Sequence, residues 1–140
     1  MLPGLQHTVF DTRLREKSSG IFEGGPIDAV DREANRRGIS SESFCPEGGE
    51  SWVDVRRRSH SFLMDITSQH LTGDRPVKVL VVSHCGLLME LVEGIGEWGG
   101  VRRGRRPVCK NASLSILRLE KTERGNRVSE LVWNDTSHLG

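Results

Sequence analysis

Two side chains stand out for the chemistry that their positions allow. His84 follows the apolar run Val77–Ser83 and precedes a helical pattern, and Glu16 lies in a stretch of alternating charges. An imidazole at the point where a buried strand gives way to a helix lies beside free backbone amides, which favours an anion and phosphate in particular. A carboxylate beside such a site could act as a general acid. Each residue also has a simpler interpretation, with His84 filling a turn and Glu16 pairing with a surface arginine or lysine.

A run of arginines, Arg102–Arg106, is the third candidate. Its four guanidinium groups could bind phosphate groups bidentately, form a weak nucleic-acid patch, or stay solvated in a loop. The net charge of the chain is only +1, and few aromatic residues lie near the run. We therefore expect neither a nucleic-acid partner nor a membrane partner.

Other chemistries find little support. The cysteines Cys45, Cys85 and Cys109 are odd in number and lack CxxC spacing, so neither a disulfide framework nor a structural zinc site is expected. Cys85 could be a reactive thiol near a helix start, although inert packing is the simpler interpretation. No nucleotide-binding loop or serine-hydrolase motif occurs. We expect no metal and no cofactor, and the absence of a signal-peptide pattern favours a cytoplasmic location.

The 140 residues leave room for one domain, with residues 1–12 irregular. The pattern predicts a helix from Pro26 to just before Gly38, then a loop over residues 39–50. A second helix follows, and Ser51 with Asp54 three residues later resembles its capping pair.

The second half of the chain has the pattern of a mixed α/β fold. After a turn over 72–76, Val77–Ser83 has the composition of a strand buried on both faces of a parallel sheet. A helical pattern follows at Leu87–Ile95. Strands over 112–119 and 128–133 are predicted to form a hairpin, with Gly125 and Asn126 in its loop.

Four blocks of sequence occur in the order typical of one family. They are RLREKSSGIFEG (13–24), PEGGES followed by VDVRRR (46–58), VLVVSHCG (79–86) and NDTSHL (134–139). Each block is weak alone, but four in order with compatible spacing are fairly specific. Together they resemble the histidine phosphatase, or phosphoglycerate mutase-like, superfamily.

The resemblance implies a fold, a reaction and residue roles. The fold would be α/β, a partial three-layer α/β/α sandwich without the family's first strand. The reaction would proceed through a phosphohistidine, with His84 as the second histidine and Glu16 as the acid that protonates the leaving oxygen. Arg13, Cys85 and Asn111 would bind the phosphate or the substrate. The partner would be a small phosphorylated metabolite, such as the sugar phosphate fructose 2,6-bisphosphate.

The departures from the family pattern bear on activity. No Arg-His-Gly, the family's nucleophile motif, occurs in the sequence, and His7 is the only histidine before Glu16. Without a nucleophile the covalent intermediate cannot form. We therefore expect a chain that is inactive as it stands, with an unpaired apolar edge at Val79–Val82. The alternative is a non-enzymatic protein that binds a phosphorylated ligand or a partner.

Overall fold

The computed structural model describes residues 8–71, 75–96, 109–123 and 125–140. In these ranges the chain forms three α-helices and one two-stranded antiparallel sheet, which are α1 (Ala29–Arg36), α2 (Trp52–His70), α3 (Cys85–Gly96), β1 (Leu114–Thr122) and β2 (Gly125–Asp135). Short 3-10 turns cover Thr12–Leu14, Gly20–Phe22 and Ser137–Leu139. The expected mixed α/β class is confirmed. None of the helices in the described ranges has the length and apolarity needed to cross a membrane.

Helix α2 is the longest element, and it begins with the predicted cap. The Ser51 hydroxyl accepts a hydrogen bond from the Asp54 amide (3.1 Å), and the Asp54 carboxylate accepts one from the Ser51 amide (3.0 Å). This reciprocal pair satisfies two amides that a helix start leaves without partners. Buried side chains then recur every three or four residues along one face, at Val55, Ser59, Phe62, Leu63 and Thr67.

The core lies where α2, α3 and the hairpin meet. Its buried cluster consists of Phe62 and Leu63 from α2, Leu91 and Ile95 from α3, and Val128 from β2. Partly buried side chains of β1 pack against this cluster at every second residue, Leu117 and Leu119. The predicted apolar face of α3 is thereby confirmed.

The predicted hairpin is present, but its strands are longer than the apolar pattern indicated. Main-chain pairing runs from Leu114 opposite Asp135 to Thr122 opposite Gly125. Gly125 and Asn126 therefore begin β2 instead of lying in the loop. Main-chain hydrogen bonds do not depend on side-chain polarity, so the pairing continues past the last apolar residue.

Helix α1 begins later than predicted. The carbonyl of Pro26 accepts a hydrogen bond from the Ala29 amide (2.9 Å) in a turn, and the helix starts only at Ala29. Ile27 is fully exposed, whereas Ala34 is buried. The expected end is confirmed, because Gly38 follows the helix with φ of +67°.

The apolar run Val77–Ser83 is the main departure from prediction. No described residue pairs with it as a strand, and Val77 and Val82 are 55% and 80% exposed. Only Val81 packs against the core. The interpretation as a strand buried on both faces is wrong for this structure, because such burial needs neighbouring strands on each side. The exposure agrees with the unpaired apolar edge expected at Val79–Val82.

Some predicted features fall outside the described residues. These are His7, the arginine run Arg102–Arg106 and most of the turn predicted at 72–76. The loop predicted over 39–50 is confirmed, since no helix or strand occurs there.

Val82→Lys is expected to reduce concentration-dependent self-association, because a lysine at an exposed apolar edge opposes pairing with a second chain. Its Tm should stay close to that of the wild type. Sedimentation velocity over a range of concentrations measures the first effect and thermal unfolding the second.

The matched control is Val81→Lys, which places a charge against the core cluster and should lower the free energy of unfolding by about 2 kcal/mol or more. Equal self-association of wild type and Val82→Lys would contradict the prediction.

Candidate active site

Arg58 holds the segment that leads to Glu16. One terminal nitrogen, Nη1, donates to the main-chain carbonyls of Arg13 (2.5 Å) and Arg15 (2.7 Å). Its Nε and Nη2 donate to the two carboxylate oxygens of Glu50 at 2.9 and 3.2 Å. The side chains of Arg58 and Glu50 are each only 13% exposed. This fork therefore binds the backbone on both sides of residue 14 to helix α2.

The negative charge of Glu50 balances the positive charge of Arg58. Burial alone would raise the pKa of Glu50, but hydrogen bonds from Arg58 and from the Ser18 amide, together with the charges of Arg58 and Arg15, outweigh it. The pKa therefore lies below its ordinary value of 4.5. Because Glu50 is ionised at neutral pH, its charge neutralises that of Arg58. The role of Arg58 is therefore to hold the backbone in place.

The segment after Glu16 packs main chain to main chain against the loop 46–51. The Ile21 amide donates to the Glu47 carbonyl at 3.0 Å. Gly20 has φ of +56°, and a Cβ there would lie 2.1 Å from the Glu47 oxygen. Only glycine fits this approach, so the local sequence is constrained on both sides of the carboxylate.

His84 lies at the predicted junction. Its carbonyl accepts the first hydrogen bond of α3, from the Leu88 amide at 2.9 Å, and its side chain is exposed. Helix α3 begins at the next residue, Cys85. Immediately before His84, the Ser83 hydroxyl donates to the Leu14 carbonyl at 2.6 Å. This hydrogen bond joins the end of the apolar run to the segment that carries Glu16.

The Glu16 carboxylate lies against the first turn of α3. Its Oε1 is 2.8 Å from the position that a Cβ on Gly86 would occupy, and it accepts a hydrogen bond from the Lys17 amide at 2.9 Å. Two ring atoms of Trp52 lie 2.9 and 3.2 Å from that same Cβ position. The structure thus brings Glu16 and the turn that follows His84 together, with no room for a side chain between them.

Arg13 is engaged elsewhere. Its guanidinium donates to the carboxylates of Asp11 and Asp65 and to the Ser61 hydroxyl, and all three of its side-chain nitrogens take part. It also lies over the Phe62 ring, 5.6 Å from the centroid. The hydrogen bonds to Asp11 and Asp65 raise the pKa of Arg13. A phosphate would have to compete with two carboxylates for this cation.

Two predicted residues remain, Cys85 and Asn111. Cys85 is half-buried at the start of α3, and its thiol donates to the Met89 thioether at 3.6 Å. Asn111 is exposed in the turn that precedes β1, two residues beyond Cys109. Within the described ranges no three histidine, cysteine, aspartate or glutamate side chains converge as a metal site would require.

Sequence reasoning missed three residues of this site. Trp52 and Lys17 have no role in the sequence-based predictions, yet the Lys17 ammonium lies over the Trp52 ring, 5.5 Å from its centroid. Arg58 belongs to the block VDVRRR but had no assigned role. The adjacency of Lys17 to Glu16 was the one available signal, whereas the contacts of Trp52 and Arg58 join residues far apart in the chain.

Comparison with known proteins tests the family resemblance that the four sequence blocks indicate. A model of the histidine phosphatase superfamily (branch 1) matches residues 4–136. The chain belongs to the histidine phosphatase superfamily.

Two similar curated proteins carry the names of phosphatases. The chain is 36% identical over 53 residues to fructose-2,6-bisphosphatase TIGAR of Bos taurus, an alignment that covers 38% of this chain and 20% of that protein. It is 33% identical over 98 residues to glucosyl-3-phosphoglycerate phosphatase of Mycolicibacterium vanbaalenii, covering 64% of this chain and 43% of the relative. The chain therefore spans less than half the length of these curated relatives.

Solved structures show the same fold. One described as mycobacterial hydrolase 1 superposes with a TM-score of 0.65 at 25% identity, covering 91% of this chain and 64% of that one. A mycobacterial glucosyl-3-phosphoglycerate phosphatase in complex with VO3 gives 0.64 at 26% identity, covering 90% and 64%. The fold class expected from the four blocks is confirmed.

Arg58→Ala is expected to lower the free energy of unfolding by about 2 kcal/mol, because it leaves the mostly buried Glu50 carboxylate and two main-chain carbonyls without their donor. The matched control is Arg57→Ala. Arg57 is 76% exposed and pairs only across 3.2 Å with Asp54, so its loss should cost under about 0.5 kcal/mol. Urea denaturation measures both.

The pH dependence of the stability lost in Arg58→Ala shows whether the contact with Glu50 is its source. Stabilisation from a carboxylate with a lowered pKa is complete above its ordinary value and is lost as the pH falls through the lowered one. The difference between wild type and Arg58→Ala should therefore shrink below pH 4.5, the ordinary pKa of Glu50. A difference that is constant across this range would exclude the Glu50 contact as its source.

Gly86→Ala is expected to destabilise the fold, since its Cβ would meet Glu16 and Trp52 below 3 Å. Gly94→Ala on the same helix is the control, because its Cβ would meet only the His60 ring at 3.7 Å. Alanine there should stabilise the helix by about 0.5–1 kcal/mol. Urea denaturation, monitored by tryptophan fluorescence, measures the free energy of unfolding of both variants. Equal stabilisation by Gly86→Ala and Gly94→Ala would show that Gly86 is not in close contact with Glu16 and Trp52.

Proposed function

We propose that this chain binds a small phosphate ester at the turn formed by His84 and the start of α3. The observation that carries the proposal is the Glu16 carboxylate against Gly86, two residues after His84. A candidate acid and a candidate phosphate-binding turn are thereby adjacent, as a phosphoryl-transfer site requires.

The proposed binding rests on the start of α3. The first amides of a helix have no partner within the helix and carry its positive dipole end, so they attract an anion. The exposed imidazole of His84, when protonated, would donate a hydrogen bond to a phosphoryl oxygen. Glu16 would supply the proton to the leaving oxygen.

The cations near the turn would have different roles. Arg13 is neutralised by Asp11 and Asp65, so we assign it to positioning the Glu16 segment rather than to direct phosphate binding. The Lys17 ammonium, held over Trp52, is the cation placed to neutralise an anion beside Glu16. The Cys85 amide would extend the contacts at the start of α3, and we propose that Asn111 contributes a further contact to the ligand.

The ligand class follows from the relatives. The names of both specify phosphorylated sugar derivatives as substrates, fructose 2,6-bisphosphate for one and glucosyl-3-phosphoglycerate for the other. A sugar phosphate is accordingly the ligand we propose for this chain, in a cytoplasmic setting.

Turnover is a separate matter. The sequence contains no Arg-His-Gly, and acid and electrostatic groups without a nucleophile give only residual activity. We propose that the chain as given binds phosphate esters without forming a phosphohistidine. The second candidate is a purely non-enzymatic role, in which the same turn binds a phosphorylated ligand or partner for recognition.

Orthovanadate, a phosphate mimic, serves as the probe. Wild type is expected to bind it, and His84→Ala should weaken binding at least about tenfold through loss of a charge-assisted hydrogen bond. Glu16→Gln should retain binding, because it removes a negative charge near the anion. His70→Ala is the control, since His70 ends α2 about 27 Å from Trp52 at its start. Titration calorimetry measures all four.

Hydrolysis of p-nitrophenyl phosphate completes the test. We expect no turnover above background from the wild type. Turnover that His84→Ala abolishes would overturn the non-catalytic assignment, and failure of the wild type to bind orthovanadate would overturn the proposed site itself.

A further inference from the structure

Lys17 differs in its electrostatics from the other cations of the segment that carries Glu16. Arg13 and Arg15 each form an ion pair with a carboxylate, at 2.6 and 3.6 Å. The Glu16 carboxylate accepts a hydrogen bond from the main-chain amide of Lys17. Among the residues that the structure describes, no carboxylate forms an ion pair with the Lys17 ammonium. The charge of this side chain is therefore not neutralised by those parts of the chain.

The Lys17 ammonium has a defined position. It lies over the ring of Trp52, 5.5 Å from the centroid, and both residues are half-buried. The electrons of the ring attract the cation, and the apolar stem of the lysine packs against the same side chain. An ammonium partly withdrawn from water attracts an anion more strongly than one in bulk water, because the effective dielectric constant is lower.

The ring of Trp52 also contacts the proposed phosphate-binding turn. Two of its atoms lie 2.9 and 3.2 Å from the position of a Cβ on Gly86, in the first turn of α3. The Glu16 carboxylate lies 2.8 Å from that same position. One indole ring therefore separates two places that attract anions, the start of α3 and the Lys17 ammonium.

We propose that Lys17 is a specificity-determining residue, which binds a second anionic group of the ligand while the turn at His84 binds the phosphate. The ligand class is a sugar phosphate with two anionic groups on different carbons, which can span one indole ring. A ligand with a single phosphate would leave the ammonium without an anion. This inference rests on the proposed function, because the first anion must occupy the turn.

Two substitutions of Lys17 separate the charge from the side-chain stem. Lys17→Met keeps an unbranched apolar stem against Trp52 and removes the charge. Lys17→Arg keeps the charge and also stacks on an aromatic face. If the second anion is bound by the charge of Lys17, the arginine variant should behave like the wild type and the methionine variant should not.

The experiment uses fructose 6-phosphate and fructose 1,6-bisphosphate, which differ by one phosphate. Titration calorimetry should show that the wild type binds the bisphosphate at least about tenfold more tightly. Lys17→Met should lose most of this preference and keep its affinity for fructose 6-phosphate and orthovanadate within about twofold. Lys17→Arg should retain the preference. Urea denaturation checks that each variant is folded.

Lys121→Met is the matched control, because it makes the same change of charge far from the site. Lys121 is exposed on β1 and lines a groove with Leu71, at the C-terminal end of α2, whereas Trp52 begins that helix. The control should leave the affinities for both fructose phosphates unchanged. An equal loss of preference in Lys121→Met and Lys17→Met would assign the effect to net charge and overturn the inference.

The outcomes distinguish this inference from the proposed function. Orthovanadate binding together with equal affinity for the two fructose phosphates would overturn the role of Lys17 alone. The same conclusion would follow if Lys17→Met weakened both fructose phosphates equally. Failure of the wild type to bind orthovanadate and either fructose phosphate would overturn the proposed function. A preference for the bisphosphate that survives in Lys17→Met would place the second anion on another cation.

Discussion

The guanidinium of Arg58 organises the chain around the candidate site. It bonds the carboxylate of Glu50 on one side and two main-chain carbonyls on the other, and so attaches the segment 13–16 to the surface of α2. The segment has little regular structure of its own, and its 3-10 turn is only three residues long. Without an external donor its carbonyls would be solvated and the position of Glu16 would not be defined.

The site is assembled where two helices begin. Trp52 is the first residue of α2 and Cys85 the first of α3, and the Trp52 ring lies against Gly86. The start of α2 therefore contacts the start of α3 through this ring. The packing of α2 on α3 through the Phe62, Leu63, Leu91 and Ile95 cluster holds them there. The same core that stabilises the fold therefore also keeps the starts of the two helices in contact.

The candidate site lies at the junction after the apolar run. There the Ser83 hydroxyl is hydrogen-bonded to the Leu14 carbonyl, and His84 precedes α3. The cation closest in sequence to the acid, other than Lys17, is Arg15, which helps to neutralise Glu50. Cations near this junction thus hold the backbone in place as well as contributing charge.

The local signals in the sequence determined much of this protein. The cap at Ser51, the apolar faces of α2 and α3, the hairpin, the junction at His84 and the family itself could all be predicted, because each depends on spacing or motifs within a short stretch. The bounds of α1 and of the strands were less accurate, since main-chain pairing and turns extend or shorten elements beyond the side-chain pattern.

Only the tertiary structure decided which distant residues meet. The contact of Glu16 with Gly86 and the salt bridge of Arg13 with Asp65 join positions that no local pattern relates. The same holds for Val77–Ser83. Its composition favours a buried strand, but burial depends on neighbouring strands, and no described residue supplies one.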